Sequence, residues 1–340
     1  TELFAKMINA SNKEIIIGGS TSINLYVLSN ALKYSLKSGD EVIVTNQDHE
    51  ANISPWRRLS EVGATIKEWK INPITAELEI EKLENLLTDK TKIIAVTHCS
   101  NIVGSVNNLK KISELAHKKN AIVIGDGVSY APHGFPDVKS LGVDFYTFSL
   151  YKTYGPHLAL LYGKEEILKK LPNQNHEFLV NEYPYTINPG GPNHEELSSL
   201  IGIYEYFISL YDHHFDNKKL NILNKIQKIN NLISKHEEDI ANPILNYIYE
   251  RDDLNLIGKK EICSKNRAPT IAFTSNKKTS KEVSHILVKN FIATRNDNFY
   301  AWRCLKALGI NNQDGVVRIS LTHYNNIEET NLLINAMKKI

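Results

Sequence analysis

The first half of the chain alternates short β-branched runs with amphipathic helical stretches, and no other feature restricts its fold so tightly. Apolar runs at 14–17, 42–44, 65–69, 93–96, 122–124 and 145–148 read as strands. Between them, 20–36, 55–62, 78–87 and 109–119 carry helical periodicity. Strands that stay apolar along their length, rather than alternating, are buried on both faces. The helices supply the cover, so the expected class is α/β: a mostly parallel sheet with helices on both faces. Ligands in such folds sit at the carboxyl ends of the strands, where loops meet helix N-termini.

Past about residue 171 the rhythm changes. Asn, Lys and Tyr become frequent, and a long helical stretch spans 195–235. A strand at 270–273, a helix at 281–289, a strand at 316–321 and a final helix at 327–339 suggest a second, smaller α/β unit. The expected division is a large domain over 1–200 and a small C-terminal domain over 201–340. The chain opens at Thr1 straight into a helical pattern over 2–8, which reads as though a preceding segment belonged to it.

Composition narrows the function classes. An apolar share of 42% with 23% charged residues is ordinary for a globular protein and leaves no room for extended disorder. Forty basic residues against 38 acidic give a net charge of +2, so a nucleic-acid partner is not expected. No run approaches the roughly 20 apolar residues of a membrane span, and no charged-then-apolar leader is present. Cys99, Cys263 and Cys304 are an odd, scattered set without a CxxC pair. Disulfides and zinc are therefore not expected, and a reducing, cytoplasmic setting is.

Four segments following strands carry the chemistry. In Ser149-Leu150-Tyr151-Lys152-Thr153-Tyr154-Gly155-Pro156, a lysine leaves an apolar strand just before a Gly-Pro turn. A lysine desolvated in a cleft has a lowered pKa and attacks carbonyl carbons, although on this motif alone a solvated lysine is the plainer reading. Asp126, in Ile124-Gly125-Asp126-Gly127, ends another apolar strand. Pyridoxal phosphate needs such a carboxylate to keep its pyridine nitrogen protonated; a metal ligand or a helix cap is the alternative. Gly18-Gly19-Ser20-Thr21-Ser22 joins a strand to a helix, the arrangement that holds a phosphate, and also the arrangement of a plain N-cap. Asp48-His49-Glu50-Ala51-Asn52 and Thr97-His98-Cys99-Ser100-Asn101 each place a histidine after a strand, to stack on a cofactor or act as a catalytic acid–base group, or as a loop residue without a role.

Taken in order, these motifs resemble the cysteine desulfurase branch of the class V aminotransferases, which are fold-type I pyridoxal-phosphate enzymes, and the resemblance runs the length of the chain. It implies Lys152 as the Schiff-base lysine, Ser149, Ser20 and Thr21 at the phosphate, Asp126 at the pyridinium and His49 stacked on the ring. It also implies Asn101 near the ring hydroxyl and Arg318, in Val317-Arg318-Ile319-Ser320, at the substrate's α-carboxylate, an anion that suits a bidentate guanidinium. Asn52 and Arg295 fall on the substrate side. A homodimer with a shared site is implied too, with Asn188-Pro189-Gly190-Gly191-Pro192 reaching the partner's phosphate, and several dozen further N-terminal residues are usual. The sequence departs from the pattern at four places. Gly191 stands where a threonine is usual, Ser129 where a glutamine contacts the ring, and Tyr151 where a histidine precedes the lysine. Tyr300 stands where desulfurases carry their nucleophilic cysteine, and Cys304, further on, reads as a buried helix residue.

The resemblance therefore implies an external aldimine with a small L-amino acid and no thiol to accept its sulfur. Carbon–sulfur cleavage or a related β-elimination comes first among the expected reactions. Desulfuration through a thiol elsewhere, and transamination or racemisation, follow. A catalytically idle binding protein is the reading of another class, and a metal site built from His98, His133 and Asp126 lacks any ligand spacing.

Overall fold

The computed structural model describes residues 1–263 and 266–340. Seven strands form the main sheet: β1 (Ile15–Gly18), β2 (Glu41–Thr45), β3 (Thr65–Trp69), β4 (Thr91–Thr97), β5 (Ile122–Asp126), β6 (Phe145–Ser149) and β7 (Ala159–Gly163). Their order is β1-β7-β6-β5-β4-β2-β3. Strands β2 to β6 pair in parallel, and β7 alone runs against its neighbours β6 and β1. Both faces are buried, as the continuous apolar runs require. In β4, Ile94 and Val96 join the core on one face while Ile93 and Ala95 join that on the other. The side-chain period of two splits β2, β6 and β7 in the same way.

A second sheet, all antiparallel, has the order β10-β11-β9-β8, with β8 (Leu254–Leu256), β9 (Thr270–Ser275), β10 (Arg295–Asp297) and β11 (Val316–Ser320). The helix Ile222–Tyr249 serves both cores. Its first half sends Ile226, Ile229 and Ile233 to the main sheet's core, and its second half sends Ile240, Ile244, Leu245 and Ile248 to the second. Helix Ile201–His214 packs Ile203, Phe207 and Tyr211 with the main sheet, so the junction between the cores falls inside the long helix.

Two expected elements differ, and three strands were not expected. The helical stretch over 195–235 is not continuous: it breaks after His214, where Phe215 turns extended, and restarts at Ile222 behind an Asn221 N-cap that accepts from Asn224 N–H. The helix over 55–62 is α-helical only for Ser54–Arg57 and then tightens to a 3-10 turn ending at Gly63, whose φ of +88° suits glycine. Strands β7, β8 and β10 have no counterpart in the sequence reading.

Candidate active site

Strands β5 and β6 are adjacent and parallel, with Asp126 opposite Thr147, so their carboxyl ends open on one side of the sheet. There, Thr21, Ser22, His49, Thr97, Asn101, Asp126, Ser129, Ser149, Tyr151 and Lys152 line a single cavity. Asp126, at the end of β5, is 4% exposed, and its Oδ1 accepts from Val128 N–H at 2.9 Å. Burial pushes its carboxyl up to about 6, against the pull of that N–H and of Lys152. Lys152 ends the turn that follows β6 and stays open to the cavity mouth. The protein packed around its ammonium lowers its pKa, Asp126 opposes that shift and Arg318 adds to it.

The phosphate-type residues sort themselves by backbone. Ser20 is extended and caps the helix Thr21–Leu32, its Oγ accepting from Ile23 N–H. Thr21, inside the first turn, is buried with its Oγ1 2.8 Å from Ser149 Oγ, so a hydroxyl from the helix start meets one from the end of β6 in the cavity. Gly191 is exposed and borders a different depression, with Gly18, His157 and Asn188.

The loop after β2 holds the histidine through a network that the sequence reading missed. Asp48 is fully buried, takes hydrogen bonds from Thr45 Oγ1 and from Asn52 Nδ2 (2.7 Å), and is pushed up to about 7 by burial. Asn52 Oδ1 in turn accepts from Trp56 Nε1 at 2.9 Å. Asn52 is thus spent on its own loop and does not line the cavity. His49 Nδ1 accepts from Ala51 N–H at 3.0 Å, and burial, with Lys152 and Arg318 adding, lowers the ring's pKa to about 4. It is neutral at pH 7.

The second sheet closes the site from above. Arg318 donates to the Asn101 carbonyl (3.1 Å) and stacks 3.9 Å over the Phe299 ring. Asn101 Nδ2 donates to the Phe299 carbonyl at 2.8 Å. Phe299 and Tyr300 both have positive φ, +50° and +59°, a conformation that side chains adopt only where the surroundings over-determine it. Here Glu50 N–H holds the Tyr300 carbonyl at 2.8 Å, and the Tyr300 ring stands 5.3 Å from that of His49. Arg295 faces outward and pairs with Asp297 at 2.9 Å.

Other candidates fall elsewhere. His98, just past the end of β4, is buried, stacked on Tyr130 at 3.7 Å with its Nδ1 2.7 Å from the Tyr146 hydroxyl, and does not line the cavity. No three His, Cys, Asp or Glu side chains gather as metal ligands among the described residues. Cys304 and Cys99 are fully buried, and burial pushes each thiol up to about 12; Cys263 is exposed and away from the cavity.

The donor set suits pyridoxal phosphate. A desolvated carboxylate, a lysine at the mouth, paired hydroxyls beside a helix start and a neutral imidazole converge on one cavity. Asn101 Oδ1, also at the cavity, is buried without a hydrogen-bond partner among the described residues.

Comparison with known proteins agrees with the geometry. The family model for aminotransferase class-V matches residues 1–219. The chain belongs to that family. It is 36% identical over 343 residues to the aminotransferase-like protein FGM3 of Gibberella zeae, covering 99% of this chain and 81% of that one. It is 30% identical to a cysteine desulfurase of Escherichia coli O8, over 98% of this chain and 79% of that one. In fold it superposes on the cysteine desulfurase CsdA of Escherichia coli with a TM-score of 0.86 at 24% identity, covering 99% and 82%. The protein is thus a class V enzyme of the cysteine desulfurase-like subgroup, with the fold-type I architecture, and its family is pyridoxal-phosphate dependent. No described helix is long and apolar enough to cross a membrane.

Proposed function

We propose that this class V enzyme binds pyridoxal phosphate through Lys152 and breaks a bond at the β-carbon of a small L-amino acid, carbon–sulfur cleavage first, without a thiol of its own. One observation carries the last clause. Tyr300 occupies the loop over His49, while the thiols of Cys99 and Cys304 are buried and Cys263 lies away from the cavity. A persulfide needs a thiolate at the substrate.

Within this reading Lys152 carries the cofactor and, with its lowered pKa, moves the proton at Cα. Asp126 faces the pyridine nitrogen. Thr21 and Ser149, with the helix start capped by Ser20, take the phosphate. Asn101 and Ser129, which line the cavity with Tyr151, would stand beside the ring's oxygen. His49, neutral, presents a flat ring to the cofactor's face without adding charge. Bound there, pyridoxal phosphate supplies an electron sink for charge left at Cα. Arg318 grips the α-carboxylate, releasing its stack on Phe299 or sharing it, with Arg295 and Tyr300 bordering the entry. Asn52 acts only through His49's loop.

We extend the proposal to the whole assembly. The chain works as two units that share the long helix, their junction lying within Ile222–Tyr249 rather than at the expected division of 1–200 and 201–340. It pairs with a second copy through the segment around Gly191, where Phe178, Val180 and Tyr185 are exposed. It works in the cytoplasm, where free thiols stay reduced.

The test is a product assay on pyridoxal-phosphate-loaded protein with L-cysteine, and borohydride should fix the cofactor to Lys152. Pyruvate with free sulfide supports the proposal. Alanine with sulfur left on the enzyme overturns it in favour of desulfuration.

A further inference from the structure

The turn bearing Lys152 and the strand bearing Arg318 belong to different sheets, yet one side chain spans them. We propose that His323 is a positioning residue that holds the Lys152 turn against the end of β11 by bonding Tyr154 through one ring nitrogen and Tyr206 through the other. The proposal rests on the reading of Lys152 and Arg318 as parts of one site.

Tyr154 shares a turn with Lys152 and has a φ of +70°, so something must hold it. Its hydroxyl lies 3.0 Å from the Pro132 carbonyl and 3.2 Å from His323 Nδ1, and the Tyr206 hydroxyl lies 2.6 Å from His323 Nε2. A carbonyl only accepts, so Tyr154 O–H donates to Pro132. Nδ1–H then donates to Tyr154 Oη, and Nε2 accepts from Tyr206 O–H. Every hydrogen is used in one arrangement, and it requires a neutral ring. The surroundings agree: burial, then the neighbouring His133 and His236, depress protonation of His323. Tyr154 and His323 also meet edge to face at 5.2 Å. His323 stands three residues past the end of the strand that carries Arg318, so the relay ties the Lys152 turn to the end of that strand.

Amide hydrogen exchange on the full chain, with pyridoxal phosphate present, tests this in His323→Phe and His323→Gln. Phe keeps the stacking and removes both bonds; Gln can donate and accept. In His323→Phe, peptides over 150–158 should exchange about tenfold faster, the loss of one to two net hydrogen bonds, with β4 and β5 unchanged. The KM for L-cysteine should rise more than kcat falls, and Gln should restore both readouts to within about twofold. Parental exchange over 150–158, a uniform rise over all peptides, or no rescue by Gln overturns the proposal. If His323→Phe does not fold, Tyr206→Phe removes one hydroxyl and is judged by the same exchange. Failure of borohydride to fix the cofactor at Lys152 would instead sink the cofactor reading and leave the exchange result standing.

Discussion

Replacing Asp126 with asparagine separates what this carboxylate costs the fold from what it gives the site. Burial moves its pKa from the ordinary 3.8 to about 6. An acid whose folded pKa is raised makes the charged form costly, so the penalty is full above about pH 6 and is relieved as pH falls towards 3.8. At 1.36 kcal/mol per pKa unit the cofactor-free protein carries about 3 kcal/mol at pH 8, and under about 1 kcal/mol at pH 4. Asparagine has nearly the same shape and keeps an acceptor for Val128 N–H, so little else changes. Cofactor-free Asp126→Asn should therefore resist urea better than the parent at pH 8, by up to about 3 kcal/mol, with the gap closing by pH 4. With saturating pyridoxal phosphate the order should reverse, because only the carboxylate gains a cationic ring nitrogen and binding stabilises the folded state by mass action. A variant no more stable than the parent at pH 8, or a gap that ignores pH, would refute the burial argument.

Four further outcomes follow from the site. Lys152→Ala should keep the fold by circular dichroism and lose all borohydride-fixed cofactor. Thr21→Val or Ser149→Ala should each weaken pyridoxal phosphate binding about tenfold, read by cofactor titration, if the 2.8 Å hydroxyl pair takes the phosphate as proposed. Arg318→Lys should raise the KM for L-cysteine by about tenfold or more with a smaller change in kcat, since an ammonium cannot reproduce the planar two-point grip. Cys304→Ala should leave the pyruvate-to-alanine ratio unchanged and cost about 1–2 kcal/mol in urea unfolding, as expected for losing a buried sulfur; a collapse of turnover would restore Cys304 as a nucleophile.

What could be read from the sequence was what local chemistry decides. Strands β1, β2, β4, β5 and β6 were visible because burial on both faces demands apolar residues without alternation, while the edge strand β3 showed only through its Ile66 and Trp69. Asp126 and Lys152 were visible because each closely follows such a run, Asp126 between two glycines and Lys152 before the Gly155-Pro156 turn. Strand β7 was hidden for a physical reason: it returns antiparallel from the Lys152 turn with no helix between, so the alternating rhythm gives no cue. Strands β8 and β10 are three residues each, and Arg295-Asn296-Asp297 has no strand propensity of its own; pairing with β11 makes it a strand. At the site, Ser20 and Thr21 were indistinguishable as hydroxyls, and only the extended backbone of Ser20 assigns one to the cap and the other to the cavity. The inward fate of Asn52 was legible and was missed, since Asp48, Asn52 and Trp56 recur at four-residue spacing and so share one face of a helical turn. The link from Tyr154 to His323, 169 residues apart, was not. No local pattern marks it, because its meaning arises only where the two sheets meet, and in the proposed site that is also where Lys152 and Arg318 would be held in register for one substrate to touch both.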